Sequence, residues 1–145
     1  MQENEIAVAV VLDMSLGESP VWSVARQTLY WVDINNGRVY AWRPQAGTPP
    51  TCFELGEKVG CIALADRGLV AAAASGIVRL SAGGEPERLV DNPEWQTGQQ
   101  NEQQTVRGNR FNDGRCDAAG RCGWAPSLLT KRALRRRSTV STTAS

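Results

Sequence analysis

Through its first ninety residues the chain is a succession of short runs rich in β-branched, aromatic and other apolar residues, set apart by turn-forming clusters. Runs of this length and period predict strands over residues 6–12, 20–23, 28–33, 38–42, 51–55, 61–65, 69–74, 77–80 and 87–90. Between them, Asn35-Asn36-Gly37, Asp66-Arg67-Gly68, Ser75-Gly76 and Gly83-Gly84 are expected to supply the positive φ that tight hairpins require. No segment sustains a helical period, so the expected fold class is all-β.

The strands also repeat as a group. Val21 falls over Ile62, Leu29 over Leu69, Gly37 over Gly76 and Val39 over Val78, at offsets of 41, 40, 39 and 39 residues. Four short strands recurring about every 40 residues are the mark of propeller blades. A third unit opens at Asp113, where Asp117-Ala118-Ala119-Gly120 repeats the turn made by Asp66-Arg67-Gly68. Eight or nine strands with frequent turns would also suit a β-sandwich, so the repeat by itself leaves both architectures open.

Composition narrows the chemistry. At 145 residues the chain has the length of one domain, and no apolar run approaches the ~18 residues of a membrane span. Residues 1–122 carry 11 Lys/Arg against 15 Asp/Glu, whereas residues 123–145 carry 5 against none. An acidic body does not suit a nucleic-acid binder. Glu3 and Glu5 precede the first apolar run where a secretory signal would have basic residues, so that run reads as a strand and the protein as cytoplasmic. Cys52, Cys61, Cys116 and Cys122 fit neither a zinc knuckle nor a C-x-x-C redox pair and are expected to be reduced thiols. Histidine is absent, which removes the Ser-His-Asp triad, the Cys-His dyad and His-bound zinc. What remains is carboxylate, amide and arginine chemistry, suited to hard cations and oxygen-rich substrates.

Two segments carry that chemistry. One is Leu16-Gly17-Glu18-Ser19-Pro20-Val21-Trp22 with the following Leu29-Tyr30-Trp31-Val32-Asp33-Ile34; the other is Asn109-Arg110-Phe111-Asn112-Asp113-Gly114-Arg115 with Asp117 and Gly120-Arg121. Read locally, Glu18 could be a solvated turn residue, Asn112-Asp113-Gly114 a hairpin turn and Arg110 a surface charge. In their order, with one repeat between them, the segments resemble the first and third blades of the SMP-30/gluconolactonase family from about Val8 to Arg121. The resemblance implies the N-terminal portion, about two and a half blades, of a six-bladed β-propeller. It implies that Glu18 is a ligand of one divalent cation (calcium, zinc, manganese or magnesium), that Arg110 and Asn112 hold a sugar lactone, and that Asp113 supports the loop from a second layer. In a propeller these side chains would converge at the mouth of the central channel.

The chain also departs from the family. Further cation ligands and the general base are expected from later blades, so no catalytic residue is assigned within this chain, and tight cation binding by Glu18 alone is not expected. The resemblance stops at Cys122, which divides the chain into a propeller-like region, 1–122, and a basic Ser/Thr-rich tail, 123–145, expected to be disordered or the product of a frame disruption near codon 122. The alternative for the tail, a nucleic-acid or anionic-membrane patch at Lys131–Arg137, lacks interleaved aromatic residues. The polar, Gln-rich residues 92–108 form either a solvated loop or a lid over the substrate. The resulting expectation is a fragment of a metal-dependent sugar-lactone hydrolase, inactive by itself. It would bind a small sugar lactone, no nucleic acid and no membrane, and would aggregate through unclosed blade edges. A non-catalytic propeller that binds a ligand or protein is the alternative.

Overall fold

The computed structural model describes residues 6–81, 85–93, 95, 110–117, 119–126 and 141–143. These residues form three antiparallel sheets. The first is a meander of β1 (Gly17–Ser23), β2 (Thr28–Asp33), β3 (Arg38–Trp42) and β4 (Thr51–Glu54). The second repeats it with β5 (Val59–Ala65), β6 (Gly68–Ala73), β7 (Gly76–Leu80) and β8 (Glu87–Asp91). In the third, β9 (Phe111–Cys116) pairs with β10 (Arg121–Pro126), and β10 with β11 (Ser141–Thr143). A 3-10 turn at Pro44–Ala46 is the helical element among the described residues.

Eight of the nine expected strands appear at or within three residues of their expected limits, the largest difference being β1, which starts at Gly17. Residues 6–12 are the exception. They have no ladder partner among the described residues, and Ile6, Val8 and Val11 stand in solvent. A strand exists through its neighbour's hydrogen bonds, so an apolar run without a partner stays irregular. Gly37 and Gly68 take the expected positive φ, at 63° and 102°, but Gly76 does not. Gly76 is required for space: a Cβ there would strike the Val90 carbonyl. Gly83 and Gly84 lie outside the described residues, as do residues 94 and 96–108 of the Gln-rich stretch and residues 127–140 and 144–145 of the tail, whereas 123–126 and 141–143 of that tail, expected to be disordered, belong to β10 and β11.

Alternation in the second sheet explains the stacking. Leu69, Ala71 and Ala73 of β6 face the first sheet, where they pack with Val32, Ile34, Val39, Val59, Ile62 and Val78. Val70 and Ala72 point the other way and pack with Cys61, Ile77, Phe111 and Trp124 toward the third sheet. Both faces of the middle sheet are therefore buried, which a two-sheet sandwich does not require. β1 lies against β5 and β5 against β9, so the first strand of each sheet is its innermost.

Arg26, in the β1–β2 turn, ties the first two sheets together at their far end. Its guanidinium donates to the carbonyls of Gly68 (2.9 Å), Ala65 (2.7 Å) and Asp66 (3.0 Å) around the β5–β6 turn.

The expectation of four reduced thiols is corrected in the third sheet. Cys116 and Cys122 are joined by a disulfide, because β9 and β10 set them directly opposite each other; Cys52 and Cys61 are free.

Candidate functional site

Each inner strand carries one irregularity near its start. On β1, Glu18 pairs with Val32 and Val21 with Tyr30, so Ser19 and Pro20 bulge between them. On β5, Gly60 is extra between Val59 and Cys61; on β9, Asn112 is extra between Phe111 and Asp113. Bulges bend a strand and re-aim its side chains. Here three bulges meet and form the wall of one cleft, about 360 Å³, lined by Leu16, Glu18, Ser19, Pro20, Ile34, Gly60, Asn112, Asp113 and Arg115.

The local reasons are visible at each strand. Ser19 has a positive φ of 52°, which turns the chain just after Glu18, and its hydroxyl accepts from the Ile62 N–H at 3.3 Å, tying the bulge to β5. Gly60 is indispensable as a glycine, since a Cβ would collide with the Phe111 carbonyl, and so β9 can approach β5 closely. The loop before Glu18 is held by Asp33, wholly buried at the end of β2. Its carboxylate accepts from the N–H of Ser15 (3.0 Å) and Leu16 (2.9 Å) and from the Asn36 amide (2.7 Å). Burial pushes the Asp33 carboxyl up, but the donors from Leu16, Ser15 and Asn36 outweigh it and hold the group below its ordinary value.

The structure thus brings together Glu18, Asn112 and Asp113, all exposed in the cleft. Asn112-Asp113-Gly114 is part of strand β9 and not a hairpin turn. Asp113 turns one carboxylate oxygen onto the Gly114 N–H at 2.8 Å. Arg110 is not brought in: half-buried, it donates from Nη1 to the Phe111 carbonyl at 2.9 Å and does not line the cleft. Cys61 lies buried beneath; burial, with the Asp113 carboxylate adding to it, pushes its thiol up to about 12, so it stays protonated.

Sequence reasoning missed Gly60 and Arg115 as cleft residues. A glycine inside a strand is a bulge signal, and strand alternation places Arg115 on the side of Asp113, so both were accessible in principle.

Glu18, Asp113 and the Asn112 amide are hard oxygen donors, but among the described residues no group of three or more His, Cys, Asp and Glu could hold a metal. A hard cation takes about six to eight oxygens, so these residues alone do not fit a complete cation site.

A larger groove of about 600 Å³ opens at the opposite end of the first two sheets, lined in part by Arg26, Thr28 and Arg43. Arg26 is bound to three carbonyls there and Arg43 donates to Thr28 at 3.2 Å, and none of the candidate site residues Glu18, Arg110, Asn112 and Asp113 lines that groove.

Comparison with known proteins identifies the lineage. The SMP-30/Gluconolactonase/LRE-like region matches residues 16–134. A 6-deoxy-6-sulfogluconolactonase of Pseudomonas putida is 43% identical over 132 residues, which cover 89% of this chain and 41% of that protein. A pentonolactonase of Haloferax volcanii is 35% identical over 134 residues, covering 84% of this chain and 39% of that one. The chain therefore spans well under half the length of these relatives. Among solved structures, a calcium-binding protein, regucalcin, from Agrobacterium tumefaciens shares the fold with a TM-score of 0.63 at 23% identity, over 78% of this chain and 35% of that one. Among the described residues no helix is long and apolar enough to cross a membrane.

Proposed function

Because the chain belongs to the SMP-30/gluconolactonase/LRE-like family, we propose that it contributes the first sheets of a sugar-lactone hydrolase. The three sheets are read as consecutive blades of a six-bladed β-propeller, with β1, β5 and β9 lining its channel. The reaction adds water to the ester carbonyl of a ring lactone, breaks the ring C–O bond and releases the aldonic acid. In this reading Asn112 bonds lactone or hydroxyl oxygens through its amide. Glu18 offers one ligand to a divalent cation completed by residues outside those described. Asp113, bound to the Gly114 N–H, fixes the strand beside them. Arg110 reaches substrate only by leaving the Phe111 carbonyl. No general base is assigned among these residues, so the chain by itself is expected to be inactive.

The observation that carries this reading is the shared cleft of Glu18, Asn112 and Asp113, which join from two strands far apart in sequence. The relatives named as lactonases support the reaction class, and the calcium-binding regucalcin of the same fold supports a cation.

The test is a chimera in which residues 1–121 replace the matching part of the Pseudomonas putida enzyme, assayed on aldonolactones with added calcium, zinc or manganese. Hydrolysis is expected. Since even an indirect metal contact is worth about 10- to 100-fold in activity, Glu18→Gln is expected to cost at least about 100-fold. A folded chimera that binds sugar acids without turnover would favour a non-catalytic binding module.

A further inference from the structure

Among the described residues, Arg115 is the one positively charged side chain lining the cleft. It stands two residues beyond Asp113 on β9, hence on the same side of the strand, and it is exposed. Its neighbours in sequence are occupied: Arg110 binds the Phe111 carbonyl, and Arg121 pairs with Asp117 at 2.7 Å. The Arg115 side chain has no hydrogen bond or ion pair among the described residues, its backbone lying in the β9–β10 ladder opposite Gly123. The nearest candidate acid along the strand, Asp113, directs an oxygen to the Gly114 N–H.

An unpaired guanidinium in a concave site beside carboxylate and amide groups has a definite preference. Its planar fork matches an anion with two or three equivalent oxygens, which it binds by paired charge-assisted hydrogen bonds. A neutral polyol does not use the charge. We infer that Arg115 is a specificity-determining residue that binds an anionic substituent, sulfonate or carboxylate, on the sugar acid or lactone held beside Glu18 and Asn112. This rests on the proposed reading of the cleft as a sugar-lactone site.

The experiment is calorimetric titration of the full chain with gluconate, 6-deoxy-6-sulfogluconate and the dicarboxylate glucarate, in the wild type and in Arg115→Ala, Arg115→Lys and Asn112→Ala. A charge-assisted hydrogen bond predicts about a tenfold advantage for the doubly anionic ligands over gluconate. That advantage should fall to within about twofold in Arg115→Ala, be partly kept in Arg115→Lys, and shrink with added salt. Comparing sulfogluconate with glucarate identifies which anion the fork prefers. Asn112→Ala should weaken all three ligands alike. Because Arg115 is exposed, the thermal transition of its variants should match the wild type, which separates recognition from folding. Equal affinity for gluconate and both double anions in the wild type, or an advantage that survives Arg115→Ala, overturns the inference and leaves the cleft reading intact. No binding of any of the three ligands overturns both.

Discussion

Asp33 is the residue on which the presentation of Glu18 depends. It is wholly buried and its oxygens accept from two backbone N–H groups of the loop that delivers Glu18. Asp33→Ala leaves those donors without a partner, at a cost of about 1–3 kcal/mol per group, and is expected to lower the urea midpoint clearly. Asp33→Asn keeps the shape but replaces one acceptor oxygen by a donor, and should fall between the two. The carboxyl is held below its ordinary value in the folded state. Its contribution is therefore full above the unfolded-state pKa, about 3.9, and is lost as pH falls through the lower folded value. Stability measured from pH 6 down to pH 2 should drop more steeply in the wild type than in Asp33→Asn. Parallel curves would show that the loop is held by something else.

At the scale of strands, the cleft depends on β9 lying close to β5, and Gly60 permits it. Gly60→Ala would push a methyl group into the Phe111 carbonyl. The expected cost is about 1–3 kcal/mol, with weaker ligand binding in the cleft, whereas the same exchange at Gly47, where a Cβ meets nothing within 4 Å, acts only through its positive φ. Arg26→Ala should also destabilise by about 1–3 kcal/mol, but without affecting the cleft, because its three carbonyls lie at the other end of the sheets. Chemical denaturation checks both, and sugar-acid titration separates them. These elements show what a sequence conveys. The strands of the first two sheets were legible because an unbroken apolar run such as Leu69-Val70-Ala71-Ala72 is a local consequence of having two covered faces. The meeting of Glu18 with Asn112 was legible through the repeat. The bulges on β1 and β9, the Arg26 clamp and the retreat of Arg110 to the Phe111 carbonyl were not, since each is decided by a neighbour on another strand or by a choice between backbone partners, and the Cys116–Cys122 bond, though only six residues apart, depends on the β9–β10 register.

At the scale of the molecule, the described residues cover the middle sheet on both faces and each outer sheet on one. On the outside of the first sheet, Leu29, Trp31 and Trp42 line a shallow apolar groove of about 320 Å³ together with residues of the 6–14 segment. In that segment Ile6 is 98% exposed, Val8 81% and Val11 84%. An extended apolar segment without a ladder partner is a template for pairing with another chain, and an uncovered apolar face adds to the tendency. The 145-residue chain by itself is therefore expected to self-associate as concentration rises. A Val8→Lys/Val11→Lys variant should reduce that association, because charge on an edge opposes pairing, and should leave the stacked core of the first two sheets unchanged, since neither valine belongs to it. Sedimentation velocity across a hundredfold concentration range decides the matter. A single monomer boundary for the wild type throughout would mean that these apolar residues are covered from within the chain; association unaltered by the lysines would move the sticky surface to the outer sheet faces.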